Sequence, residues 1–72
     1  MVNAIVLVKS PKKLIAARLK QVDSVYDSFP VSGQFDAVAV IKVKNLAEIK
    51  NITTEIQKIG GVERNETMVE VK

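Results

Sequence analysis

Two stretches of the chain carry apolar side chains at both odd and even positions. In the first, Val2, Ala4, Val6 and Val8 point one way and Ile5 and Leu7 the other. In the second, Phe35, Ala37, Ala39, Ile41 and Val43 form one set and Val38 and Val40 the other. A strand apolar on both faces is covered on both faces, so each stretch predicts a central strand. Between Ser24 and Val31 the pattern is weaker, with Val25, Asp27, Phe29 and Val31 alternating against Ser24, Tyr26, Ser28 and Pro30. Pro30 has no amide proton to give a ladder, which assigns this strand to an edge. Val62 to Lys72 predicts the last strand, with Val69 and Val71 inward and Glu70 and Lys72 outward. Its charges suit a second edge.

The intervening segments switch to helical spacing. Ser10 suits an N-cap and Pro11 the first helical position, which predicts a helix from there to about Gln21. Its buried stripe would be Leu14, Ile15, Ala17, Leu19 and Val22. Asn45 is a second N-cap, with Glu48 where a capping-box carboxylate belongs. Leu46, Ile49, Ile52, Ile56 and Ile59 then follow the spacing of one helix face, and Gly60-Gly61 stops the helix. Ser32-Gly33-Gln34 predicts a hairpin turn, with Gly33 free to take positive φ.

The order β-α-β, hairpin, β-α-β is the ferredoxin-like βαββαβ arrangement. It predicts an α+β fold: one four-stranded antiparallel sheet with strands 1 and 3 in the middle and both helices on one face. The whole chain, residues 1–72, reads as a single domain. Two helices cover only one face of such a sheet, yet the middle strands are apolar on both. A contiguous apolar patch of several hundred Å² seldom stays exposed, and a second copy of the same sheet is the simplest cover. The size of the chain points the same way. A domain this small usually needs a disulfide, a metal or a partner, and here there is neither cysteine nor histidine.

Charge changes this picture little. The net charge is +3, with Lys9, Lys12, Lys13, Arg18 and Lys20 all preceding the first acid, Asp23. A basic block can serve nucleic acid, and it can equally be the solvated face of a short helix. No apolar run is long enough for a membrane span. The N-terminal run lacks the basic start of a signal peptide, so a cytoplasmic location is expected.

Chemistry is sparse. Without Cys or His the common nucleophile–base pairs are missing, Asp27, Asp36, Glu63 and Glu66 show no pairing by spacing, and nothing calls for a cofactor or metal. The aromatics Tyr26, Phe29 and Phe35 do not form an RNA-stacking motif on a central strand. One segment stands out. In Pro30-Val31-Ser32-Gly33-Gln34-Phe35-Asp36 the turn offers backbone groups, Phe35 an apolar wall and Asp36 a charge suited to an ammonium group. The same residues also make an ordinary hairpin.

Three motifs follow one another along the chain: Ala4-Ile5-Val6-Leu7-Val8, Ser32-Gly33-Gln34-Phe35-Asp36, and Gly61-Val62-Glu63-Arg64-Asn65-Glu66-Thr67-Met68. Through them the chain resembles the effector-binding (RAM) domain of the Lrp/AsnC transcription regulators. The middle motif matches that family's Gly-x-(Tyr/Phe)-Asp turn and the last its Gly-Val-x-Arg-Thr-x-Thr end. The resemblance implies dimers through the sheets, assembly into octamers or decamers, and small effectors, usually amino acids, at the contacts between dimers. It implies that Gly33 and Phe35 frame the pocket, that Asp36 holds the effector's amino group, and that Thr67 lies near the ligand. Asn65 stands where the family pattern has threonine, so the polar side of the pocket differs there. The family's regulators carry an N-terminal helix-turn-helix domain. This sequence begins at the first strand, so no direct DNA binding is expected, and full-length Lrp-type regulators become candidate partners. The rival readings are an enzyme of the dimeric α+β barrel type built on Tyr26 and Asp36, a nucleic-acid binder using the basic block, and a purely structural assembly module.

Overall fold

The computed structural model describes residues 1–71. Its elements are β1 (Val2–Lys9), α1 (Ile15–Leu19), β2 (Val25–Pro30), β3 (Ala37–Val43), α2 (Leu46–Lys58) and β4 (Arg64–Val69). They form one four-stranded sheet in the order β2-β3-β1-β4, antiparallel throughout. The two doubly apolar strands are central, and the proline-bearing and charged strands are the edges, as the pattern predicts.

The core lies between the sheet and the helices. Ala4, Val6 and Val8 of β1 meet Ala37, Ala39, Ile41 and Val43 of β3 on that side, and Ile15, Leu19, Ile49, Ile52 and Ile56 close over them. The alanines let the helices approach the sheet closely, and the isoleucines fill the space left.

Helix α2 begins where its sequence says it should. Asn45 accepts a hydrogen bond from the Glu48 amide at 3.2 Å, and Glu48 reaches back to accept from the Lys44 amide at 3.1 Å. Leu46 departs from the predicted stripe and is 64% exposed. Helix α1 is shorter than predicted. Ser10 does not cap it; its Oγ accepts from the Lys12 amide at 3.1 Å, which closes a local turn, and the helix starts only at Ile15. That rotates the stripe. Ile15 and Leu19 are buried, Ala16 and Val22 pack beside them, and Leu14 and Ala17 face solvent.

Strand β2 also corrects the expected alternation. A bulge between Val25 and Asp27 leaves Tyr26 without a partner in the ladder. Val25 therefore joins the helix side, as does the buried Ser28, while Asp27 and Phe29 turn to the opposite face. Ser28 Oγ donates to the Ala16 carbonyl at 2.5 Å, tying this edge to α1. On β4, Val69 lies opposite the buried Ala4 on the helix side, as expected, yet is 37% exposed, and Val71, beyond the end of the strand, is exposed and not inward as expected. Lys72 lies outside the described residues.

The middle of the face away from the helices is apolar and uncovered by this chain, with Asp27, Lys42 and Glu66 around it. Its rows follow the register. Phe29, Val38 and Leu7 lie side by side across three strands, and Val40, Ile5 and Met68 form the next row. Val38 is 7% exposed because its large neighbours shield it, whereas Phe29 is 43% and Met68 51% exposed at the rim.

Candidate functional site

The predicted hairpin turn is present. The Val31 amide donates to the Asp36 carbonyl at 3.0 Å, and Gly33 sits at φ 115°, a region in which an L side chain is strained. The loop carries Asp36 to the C-terminal end of β1. There the Asp36 amide donates to the Val8 carbonyl at 2.8 Å, and its Oδ2 accepts from the Ser10 amide at 2.8 Å. The carboxylate is thus anchored by main chain. Lys9 Nζ is 3.9 Å from the same oxygen, and both side chains are 41% exposed.

Around this carboxylate is an open cleft of about 200 Å³ lined by Lys9, Ser10, Pro11, Asp36 and Glu63. Glu63 arrives from the opposite side of β1, where its amide donates to the Lys9 carbonyl at 2.8 Å. Gly61, at φ 99°, lets the chain turn out of α2 while the Lys12 side chain lies across it. Phe35 is half-buried beside the cleft, with the Arg64 guanidinium 5.3 Å from its ring centre, a cation–π distance.

The five residues suggested as a ligand site divide into two groups. Gly33, Phe35 and Asp36 share the β2–β3 loop. Asn65 and Thr67 sit on β4 opposite Val8 and Val6, on the helix side of the sheet. Asn65 Nδ2 donates to Gln57 Oε1 of α2 at 2.6 Å, so its amide is engaged within the chain. Val8 pairs with Asn65 on one side and accepts from Asp36 on the other, so the groups are two strand widths apart, about 10 Å. Lys9, Ser10 and Glu63 were not singled out as site residues by sequence. Pairing between distant segments brings them to Asp36, and local spacing carries no sign of it.

The other candidates are scattered. Tyr26 and Asp36 lie at opposite ends of the β2–β3 hairpin, and Tyr26 faces Lys42, whose Nζ is 5.7 Å from its ring centre. Of the basic block, Lys9 pairs with Asp36 and Lys20 with Asp27 at 3.8 Å. Among the described residues no group of His, Cys, Asp or Glu is arranged to hold a metal ion, and no helix is long and apolar enough to cross a membrane.

The model of the Lrp/AsnC ligand binding domain matches residues 3–72. The chain belongs to that family. Solved structures share the fold. The protein TTHA0845 from Thermus thermophilus is 26% identical, with a TM-score of 0.90 over 100% of this chain and 95% of that one. A feast or famine regulatory protein from M. tuberculosis, complexed with L-methionine, has a TM-score of 0.84 at 17% identity over 100% of this chain and is covered to 51% of its length. E. coli AsnC gives 0.85 at 14% identity, again with 51% of its length covered and 99% of this chain. The chain thus spans about half of these two proteins. No curated sequence matches it significantly. These neighbours share the fold of this chain.

Proposed function

We propose that the chain is an amino-acid effector-binding and oligomerisation module. The observation that carries this is the Asp36 carboxylate, fixed by the Ser10 amide on the Gly33 turn, in a chain that the Lrp/AsnC ligand-binding model spans. Gly33 and Phe35 shape the approach, and Asp36 takes the effector's ammonium group. Asn65 and Thr67 serve from the helix side of β4. The uncovered face of the sheet packs on a second copy, and such dimers assemble further, into octamers or decamers. The same face lets the chain join full-length Lrp-type regulators and alter their response. The partner class is a small molecule.

The test is thermal unfolding in the presence of each of the twenty amino acids at millimolar concentration. A ligand that binds only the folded form, at 100 times its dissociation constant, adds about 2.7 kcal/mol of stability. One or a few amino acids should shift the midpoint, and Asp36→Ala should abolish the shift. Asp36 also caps the Ser10 amide, so each variant is compared with its own ligand-free midpoint. No shift from any amino acid would exclude the reading.

A further inference from the structure

The cleft beside Asp36 holds more charge than an ammonium site needs. We propose that it takes an α-amino acid with a cationic side chain: Asp36 receives the α-ammonium, Lys9 the α-carboxylate and Glu63 the side-chain cation. This rests on the effector-binding reading above and adds the ligand class and two residues.

Lys9 is anchored but its ammonium is not. Its carbonyl accepts from the Glu63 amide, and its backbone pairs with Arg64 in the ladder. Its Nζ, at 3.9 Å from Asp36, is beyond direct hydrogen-bond range. An ion pair this open to solvent is weak. A zwitterion can enter between the two groups and give each a closer partner than it has now. The ligand ammonium meets Asp36, whose Oδ1 has no hydrogen-bond partner among the described residues, and the ligand carboxylate meets Lys9.

Glu63 decides the side chain. It lines the cleft and forms no ion pair among the described residues. Neither nearby cation lines the cleft or pairs with Glu63 among the described residues: Arg64 sits over Phe35, and the methylenes of Lys12 pack across Gly61. The lining therefore carries one positive and two negative charges. Its complement at neutral pH has two positive charges and one negative, which is a basic amino acid. A neutral amino acid leaves Glu63 unmatched, and a diamine leaves Lys9 unmatched.

Three probes isolate these terms: lysine, norleucine (which lacks the terminal ammonium) and cadaverine (which lacks the carboxylate). Dissociation constants would be measured by calorimetry or thermal-shift titration for the wild type, Lys9→Met and Glu63→Gln. Lysine should bind the wild type about tenfold tighter than either analogue, the factor one charge-assisted bond typically supplies. Glu63→Gln should erase the preference over norleucine, and Lys9→Met the preference over cadaverine. Equal wild-type affinity for lysine and norleucine overturns the inference, as does an unchanged preference pattern in either variant. Binding of neutral amino acids alone, lost in Asp36→Ala, would overturn it too while leaving the effector reading intact. Absence of binding by every amino acid would end both.

Discussion

At the residue scale, the proposed site consists of side chains whose backbones are fixed by the sheet and its connecting loops. Gly33 illustrates the backbone part. Nothing lies within 4 Å of the position a Cβ would take, so any cost of Gly33→Ala comes from φ alone. We expect a loss of about 1–2 kcal/mol in urea unfolding, the usual cost of forcing an L-residue into that region. Gly60 is equally unobstructed and has no positive φ, so Gly60→Ala should be neutral or slightly stabilising. The turn, Phe35 and Asp36 were legible in sequence because their roles are local. Lys9, Ser10 and Glu63 were not. Ser10 in particular looked like a helix cap, since Ser-Pro is a strong start signal, and its amide is instead used to hold a carboxylate from a loop 26 positions away.

At the scale of elements, α2 is largely written in the local sequence. Its cap and the Ile49, Ile52 and Ile56 part of its stripe appear as expected, while the helix ends at Lys58 with Ile59 as its C-cap, and Leu46 is exposed. The two ends of the stripe should respond differently to truncation. Ile56 is fully buried, so Ile56→Ala should cost about 2–5 kcal/mol, while Leu46→Ala should stay within about 0.5 kcal/mol. Guanidinium unfolding of the two variants would check this. Helix α1 depends on its neighbours. It is only five residues long and has no side-chain cap, too short to persist by itself. The Ser28 hydroxyl supplies one of its ties to the sheet. Ser28→Ala should cost about 1 kcal/mol, since the Ala16 carbonyl keeps its bond from the Lys20 amide. Amide exchange should speed up first in α1.

For the whole molecule, the radius of gyration of 11.1 Å is close to the roughly 11 Å expected of a folded chain of this length. Compactness is therefore no argument for a partner; the composition of the uncovered face is one. Ile5, Leu7, Val38 and Val40 form its middle, with Phe29 and Met68 at the rim. In the dimer proposed above, Leu7→Lys would place a charge at the centre of the contact. Analytical ultracentrifugation should then show a shift to monomer, with the circular dichroism of the folded chain retained. An unchanged mass would mean the face is not the contact. The sequence disclosed this face through the doubly apolar strands, but it could not disclose which face Phe29 joins, because nothing in its composition announces the bulge before it.

That bulge makes the hairpin unevenly tolerant of changes in length. Tyr26 is the one position of β2 that the ladder does not use. Deleting it would join Val25 to Asp27 in regular pleat and leave every later side chain on its present face. Deleting Asp27 would let Tyr26 take its place opposite Val40 with the same result, whereas deleting Ser28 or Phe29 would exchange the faces of part of the strand and turn Asp27 toward the helices. Single-residue deletions along β2 should therefore divide sharply, with the loss of Tyr26 or of Asp27 still yielding folded protein and the loss of Ser28 or Phe29 not.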